Sequence, residues 1–287
     1  MAASRRRFDK HATHFRPGTT SSRRNAFAPI SGLQNPPDAI IAVMGKTGSG
    51  KSSFISKLAV DDYVNAVGHK LKSETQNVYE VSCVAGGHNI LLIDTPGFDD
   101  TNAETGTILK RIADWLQEYS HEKKLLNGLI YCHDITDSRF GGSSVKNLTL
   151  FEKLTGQDSM KNVVLLSTKW DGIDQETGEQ RDQELKSTPS FWKIMLADGA
   201  KALRHNGTKT SAEKVVLALL NRQPAAVRLQ IELAQGKRIS ETAAGAYVDH
   251  EIIKLQNTHR DEMNGLKEQI ADAEKRSEFK FSDLVDW

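Results

Sequence analysis

Gly45-Lys46-Thr47-Gly48-Ser49-Gly50-Lys51-Ser52 reads G-x-x-x-x-G-K-S and directly follows the apolar run Ala39 to Met44. An apolar strand feeding a glycine-rich turn that opens a helix is the context of a phosphate-binding loop. Glycines let consecutive backbone N–H groups converge on phosphate oxygens, and the helix that follows aims its positive end at the same point. In that setting Lys51 places a point charge between the β- and γ-phosphates, and the Ser52 hydroxyl ligates Mg2+. Ser53 is counted with the loop as a nucleotide contact. The competing reading is an ordinary glycine-rich turn before a helix; the strand before it and the helix after it both favour phosphate.

Two further motifs follow in order. Asp94-Thr95-Pro96-Gly97 closes the hydrophobic run Ile90 to Ile93, 43 residues after Lys51. A carboxylate there holds Mg2+ through water, and the Gly97 N–H contacts a γ-phosphate and senses its loss. On its own the tetrapeptide is also plain turn chemistry; placed after a phosphate loop it gains weight. Thr168-Lys169-Trp170-Asp171 closes the apolar run Asn162 to Leu166. A carboxylate at Asp171 accepts two hydrogen bonds from guanine, N1–H and the exocyclic amine. Adenine lacks that donor pair and would leave a buried Asp171 unpaired, which is costly. The Lys169 stem lies along the base face.

Around these motifs apolar runs alternate with helical periodicity. Asn77 to Ala85 and His88 to Asp94 flank Gly86-Gly87, a hairpin signal that makes them an antiparallel pair. Helical spacing appears over Thr107–Tyr119, after Gly142, around Phe191–Leu196 and over Ser211–Leu220, with further strands at Gly128–Cys132, Asn162–Leu166 and Ala200–Arg204. Asp174 to Ser187 reads as a polar connecting stretch. The alternation predicts an α/β three-layer fold. Its sheet is expected to be mostly parallel with one antiparallel edge strand, followed by a C-terminal helical extension. The chain divides into a disordered basic arm (1–38), a nucleotide-binding domain (39–222) and the extension (223–287). In the extension Ile252, Leu255, Met263, Leu266 and Ile270 form an apolar stripe too interrupted by charge for a self-sufficient coiled coil. A long helix leaning on the domain or on a partner is expected.

The 287 residues carry a net charge of +1, but residues 1–38 hold seven Lys/Arg against Asp9 and Asp38. The rest of the chain is therefore acidic, and no basic face argues for nucleic acid as a partner. The arm is Arg- and Ser-rich and poor in acids, which suits a flexible tail and also a mitochondrial presequence. A cytoplasmic protein is the reading taken. No apolar run reaches the ~20 residues a membrane-spanning helix needs. Cys83 and Cys132 sit in strand-like runs without metal-ligand spacing and read as reduced core residues.

The ordered set GKTGSGKS, DTPG and TKWD resembles the G1, G3 and G4 boxes of P-loop GTPases. It is most similar to the septin, immunity-associated and chloroplast-import group. The run Ile130 to Phe151 and the segment Leu229 to Gly245 resemble a fungal family of G-domain proteins. The resemblance covers about residues 39–221 and implies GTP or GDP with Mg2+ as ligands. It also implies a G2 threonine in the loop before the second strand, where Thr75 matches best and Ser73 is the rival. His205 or Asn206, in a G5 loop, are candidates for contacting the base. Lys51, Thr75 and Gly97 then form the catalytic set, with Ser52, Thr75 and Asp94 around the metal.

Phe98 stands where many signalling GTPases carry a water-orienting glutamine, so slow hydrolysis is expected. Gly48 replaces the Asn of potassium-stimulated relatives, which argues against a monovalent activator. Relatives dimerise across the nucleotide face, which makes a homodimer possible and offers His133 or Arg139 as groups acting in trans. Three functions compete: a slow GTPase switch read by a protein effector, a septin-like assembly module with incidental turnover, and an ATP-dependent enzyme. Asp171 argues against the third.

Overall fold

The structure, a computed structural model, describes residues 36–60, 78–98, 102–121, 125–138 and 141–285. The basic arm up to position 35, Ser73, Thr75 and Arg139 lie outside the described residues. Six strands form one sheet in the order β2-β3-β1-β4-β5-β6: β1 (Ala39–Gly45), β2 (Tyr79–Ala85), β3 (His88–Asp94), β4 (Gly128–Asp134), β5 (Val163–Thr168) and β6 (Lys201–Arg204). β1 is buried at every position, as expected of a central parallel strand covered on both faces. Its residues alternate, Ala42 and Met44 entering one core and Ile41 and Val43 the other. β2 and β3 are antiparallel and joined through Gly86-Gly87, both at positive φ, while β1, β3, β4, β5 and β6 run parallel. The sheet therefore has the expected topology, down to the single antiparallel edge strand.

Helices cover both faces. α1 (Lys51–Ser56) and a later helix, Lys209–Leu220, supply Phe54, Ile55, Val215, Val216 and Leu219 to one core. The opposite face is larger. It receives Ile108, Leu109 and Ile112 from α2 (Asn102–His121), and Leu148, Phe151 and Leu154 from α3 (Gly142–Thr155).

One expectation fails between β5 and β6. The polar stretch Asp174 to Ser187 is a helix, α4 (Gln175–Ser187). Only Gly178, Asp182 and Leu185 of it are buried, so it carries no apolar stripe that periodicity could detect. Its start is set by Asp174, whose side chain accepts the Thr177 N–H at 2.9 Å. After a kink at Phe191 the chain continues through α5 (Ile194–Ala197), with Trp192 fully buried beside it. β6 then leads into α6, the Lys209–Leu220 helix, capped by the Thr208 hydroxyl.

The chain after Pro224 joins the larger core. α7 (Arg228–Ala234) contributes Leu229 and Leu233, and the first turns of α8 (Ala243–Val285) contribute Ala244 and Val248. Glu232 fixes the joint, its carboxylate accepting the Ala243 N–H at 2.9 Å. Glu251 pairs with Lys146 of α3 at 2.8 Å. Beyond Ile252 the helix leaves the domain, and Ile253, Leu255, Met263, Leu266 and Ile270 are exposed. Among the described residues no helix is long and apolar enough to cross a membrane.

Val248 is 5% exposed and Leu266 53%, on the same helix. Val248→Asp is expected to lower unfolding stability by roughly 2–4 kcal/mol through an unpaired buried carboxylate. Leu266→Asp should change it by less than about 0.5 kcal/mol. Urea unfolding of the two variants checks the pair; equal effects would show that α8 does not dock as described.

Candidate functional site

The carboxyl ends of β1, β3, β4, β5 and β6 meet at one rim of the sheet, where the order of connections reverses beside β1; this is where open α/β sheets bind ligands. Gly45–Ser52 leaves β1 there and turns into α1 at Lys51, with Gly50 at its N-terminal cap (φ 86°). Lys51 is buried, and its Nζ donates to Gly45 O and Lys46 O, both at 3.1 Å. The ammonium is thus held beneath its own loop. Lys46 and Thr47 are half-buried, Gly48 is exposed, and the Ser49 hydroxyl is buried with no partner among the described residues.

Asp94 ends β3 fully buried, and the Ser52 hydroxyl donates to its Oδ2 at 3.4 Å. The next residue is anchored to β1: Thr95 Oγ1 and N both donate to Val43 O, at 2.9 and 3.3 Å. Gly97 lies so close to the phosphate loop that a Cβ would stand 2.4 Å from Thr47 Oγ1. Phe98 donates its N–H to Gly45 O at 3.2 Å, accepts from Asn147 Nδ2 at 3.2 Å, and buries its ring in the core.

The third motif approaches the loop from the other side. Thr168 Oγ1 donates to Ser49 O at 2.8 Å and also lies 3.1 Å from His133 O. Gly50 permits this contact, since a Cβ there would sit 3.1 Å from Thr168 Oγ1. Lys169 takes a left-handed conformation (φ 59°) and its Nζ meets Asp134 Oδ2 at 2.6 Å. Asp134 also accepts from the N–H and hydroxyl of Thr136, at 2.9 and 2.6 Å. Burial pushes the Asp134 carboxyl up, but its bonds to Lys169 and Thr136 outweigh that and hold it below its ordinary value.

Asp171 lines a cavity of about 560 Å³ together with Gly50, Ser53, Lys57, Lys169 and His205. It was expected to be buried, yet it is exposed at the cavity mouth. His205 is buried, with Nδ1 2.8 Å from Ser211 Oγ and its ring edge-on to Phe54. Burial, with Lys57 nearby, lowers its pKa. Asn206 is exposed, and its side-chain oxygen accepts from Thr208 N and Oγ1 at 3.3 and 2.7 Å. It serves the turn before α6 and does not line the cavity, so of the two base candidates only His205 is placed there.

A second cavity of about 350 Å³ lies on the far side of the loop, against Lys46, Thr47, Ser49, Asp134 and Lys169. His133, a candidate for acting in trans, is buried, with its ring edge-on to Trp192 at 6.2 Å. It also lines that cavity beside the phosphate loop. Asp134 and Thr136 were not singled out from the sequence; an Asp ending the apolar run Gly128–Cys132 was the available signal.

The donor set fits a guanine nucleotide with Mg2+. Mg2+ characteristically takes one or two protein oxygens, with phosphates and water completing its shell. Ser52 and Asp94 stand side by side as that pair. Among the described residues no cluster of three or more His, Cys, Asp or Glu offers an alternative metal site.

Residues 40–169 match the protein family described as 50S ribosome-binding GTPase. The strand order and the glycine-rich loop between β1 and α1 are those of a P-loop nucleotide-binding fold. The chain resembles GTP-binding protein A of Dictyostelium discoideum, 27% identical over 168 residues that make up 55% of this chain and 35% of that protein. It also resembles Immune-associated nucleotide-binding protein 3 of Arabidopsis thaliana, 26% identical over 61% of this chain and 52% of that one. The chain thus spans about half the length, or less, of these curated relatives. Among solved structures, the G domain overlaps Toc33 from Arabidopsis thaliana in complex with Mg2+ and GMPPNP. That overlap has a TM-score of 0.48 and 16% identity, covering 65% of this chain and 86% of the other. The resemblance read from the three motifs holds at the level of the G domain.

His133 gives the site region a pH signature. Burial lowers its pKa from 6.5 to about 4. The folded state therefore favours the neutral ring, and its contribution is complete above the ordinary pKa and lost as pH falls from about 6.5 toward 4. Up to about 3 kcal/mol of the stability lost in that window should trace to His133. Unfolding free energies measured across the window in the wild type and in His133→Gln check this: the variant should have the flatter profile, and equal slopes would contradict it.

Proposed function

We propose that this G domain is a nucleotide-dependent switch that binds GTP with Mg2+ and hydrolyses it slowly. The observation that carries the reading is the convergence on one rim of the Lys51 loop, the Asp94-to-Gly97 turn and the Asp171 loop, tied by Thr168 to Ser49 and by Phe98 to Gly45. Backbone N–H groups of the loop bind the phosphates and Lys51 neutralises their charge. Ser52 and Asp94 would hold Mg2+, which would supply positive charge against the negative charge that develops on the phosphates. Asp171 accepts from guanine N1–H and the exocyclic amine, while the Lys169 stem covers the base. Gly97, against Thr47, lies where a γ-phosphate is sensed, and Thr75 is the candidate to close over the metal.

Slow turnover follows from Phe98. Its ring is fully buried, so the residue after the Asp-Thr-Pro-Gly turn orients no water. A homodimer across the nucleotide face is the arrangement that would bring in a missing group. A second reading, a nucleotide-stabilised assembly module, is favoured by the exposed apolar residues Met263, Leu266 and Ile270 on α8.

Two measurements test the proposal. In Asp171→Asn the side chain offers a donor where guanine needs an acceptor, so GDP affinity should fall at least about 100-fold. Xanthosine diphosphate, with a carbonyl in place of the amine, should gain affinity; unchanged GDP binding would contradict base reading by Asp171. Turnover of GTP by the wild type should be slow, and its rate per chain should rise with protein concentration if the nucleotide face dimerises. A mass by light scattering that is above that of a single chain and the same with GDP as with a GTP analogue would instead favour the assembly module.

A further inference from the structure

Trp170, the neighbour of Asp171, is half-buried and held from three directions. Its indole N–H donates to Ser167 Oγ at 3.0 Å, and that hydroxyl lies 3.4 Å from Leu203 O. One ring face carries the Arg204 guanidinium, 4.3 Å from the ring centroid. The six-membered ring abuts α4 at Gly178, where a Cβ would stand 2.9 Å from Cζ3. A side chain at position 178 would push the indole, and Asp171 with it, away from the helix.

Arg204 is itself fixed in place. Its two terminal nitrogens meet the Glu179 carboxylate in a fork, at 2.6 and 2.7 Å. Nη2 also meets Asp182 Oδ2 at 2.5 Å. Asp182 is 3% exposed and bonded in turn to Lys186. Forked guanidinium–carboxylate pairs fix orientation as well as charge, and a guanidinium stacked on an indole keeps its plane. The same helix ties the other wall of the base cavity, through Arg181 Nη1 donating to Ile135 O at 3.0 Å beside Thr136. Glu179, Arg181 and Asp182 thus turn α4 into a brace spanning the loops on both sides of Asp171.

We infer that Arg204, clamped by Glu179 and Asp182 and stacked on Trp170, is a positioning residue that sets guanine selectivity through Asp171. Arg204 does not line the base cavity. Asp171 is exposed, and no hydrogen bond or ion pair to another described residue holds its side chain, so the stacked Trp170 indole, through the backbone the two residues share, is what places the carboxylate against both guanine donors. The inference rests on the base reading proposed above.

The test compares GDP with inosine diphosphate, which lacks only the exocyclic amine, so the affinity ratio isolates the second hydrogen bond to Asp171. One charge-assisted bond predicts that the wild-type full-length chain prefers GDP by about 10-fold or more. In Arg204→Ala, with folding checked by circular dichroism, the ratio should fall toward one. Arg204→Lys keeps a cation beside buried Asp182 but loses the fork and the stacked plane, and its ratio should also fall; it decides the matter should the alanine variant not fold. A folded variant that keeps the wild-type ratio overturns the role of Arg204 and leaves base reading intact. A wild type that does not distinguish the two nucleotides overturns both.

Discussion

The site depends on how closely the phosphate loop can be approached from both flanks. Gly97 meets Thr47 and Gly50 meets Thr168 at separations where a Cβ would stand 2.4 and 3.1 Å from the neighbouring side-chain oxygen. Because those atoms are absent, the turn after β3 and the loop after β5 both lie against a single loop after β1. The contacts are then fixed by backbone carbonyls: Ser49 O receives Thr168, and Gly45 O receives Phe98. Gly45 ends β1 and Ser49 lies in the loop itself, so these two contacts tie the turn after β3 and the loop after β5 to the phosphate loop.

Much of this was legible in the sequence because each motif ends an apolar strand. A strand buried on both faces is a continuous apolar run, and its polar end is where chemistry projects. That logic found Lys51, Asp94 and Asp171 together with the strands behind them. It failed where structure is held by charge. α4 has no apolar stripe; Asp174 caps it, and Asp182 and Glu179 tie it to Arg204 from another strand. Pairings between residues 22 and 25 positions apart leave no periodic trace. The exposure of Asp171 was equally invisible, since a short motif states residue type but not how deep the loop lies.

The larger of the two cores joins the site to the C-terminal helix. Phe98 enters that core directly after the turn at Gly97, and α2 starts at Asn102. Val248 of α8 packs beside α2, its Cγ1 3.8 Å from where a Cβ on Gly106 would stand. Lys146 of α3 pairs with Glu251. The helix emerging from the domain therefore rests on α2, which follows the turn at Gly97, and on α3, which follows β4. Packed interiors transmit displacement because they contain few voids.

Titration calorimetry of the full-length chain with GDP, and in parallel with ADP, in the presence of Mg2+ tests the central claim most directly. The account predicts one GDP per chain, no comparable heat from ADP, and loss of the GDP signal in Lys51→Ala. Equal binding of the two nucleotides, or GDP binding that survives Lys51→Ala unchanged, would contradict a single site built from the three converging loops.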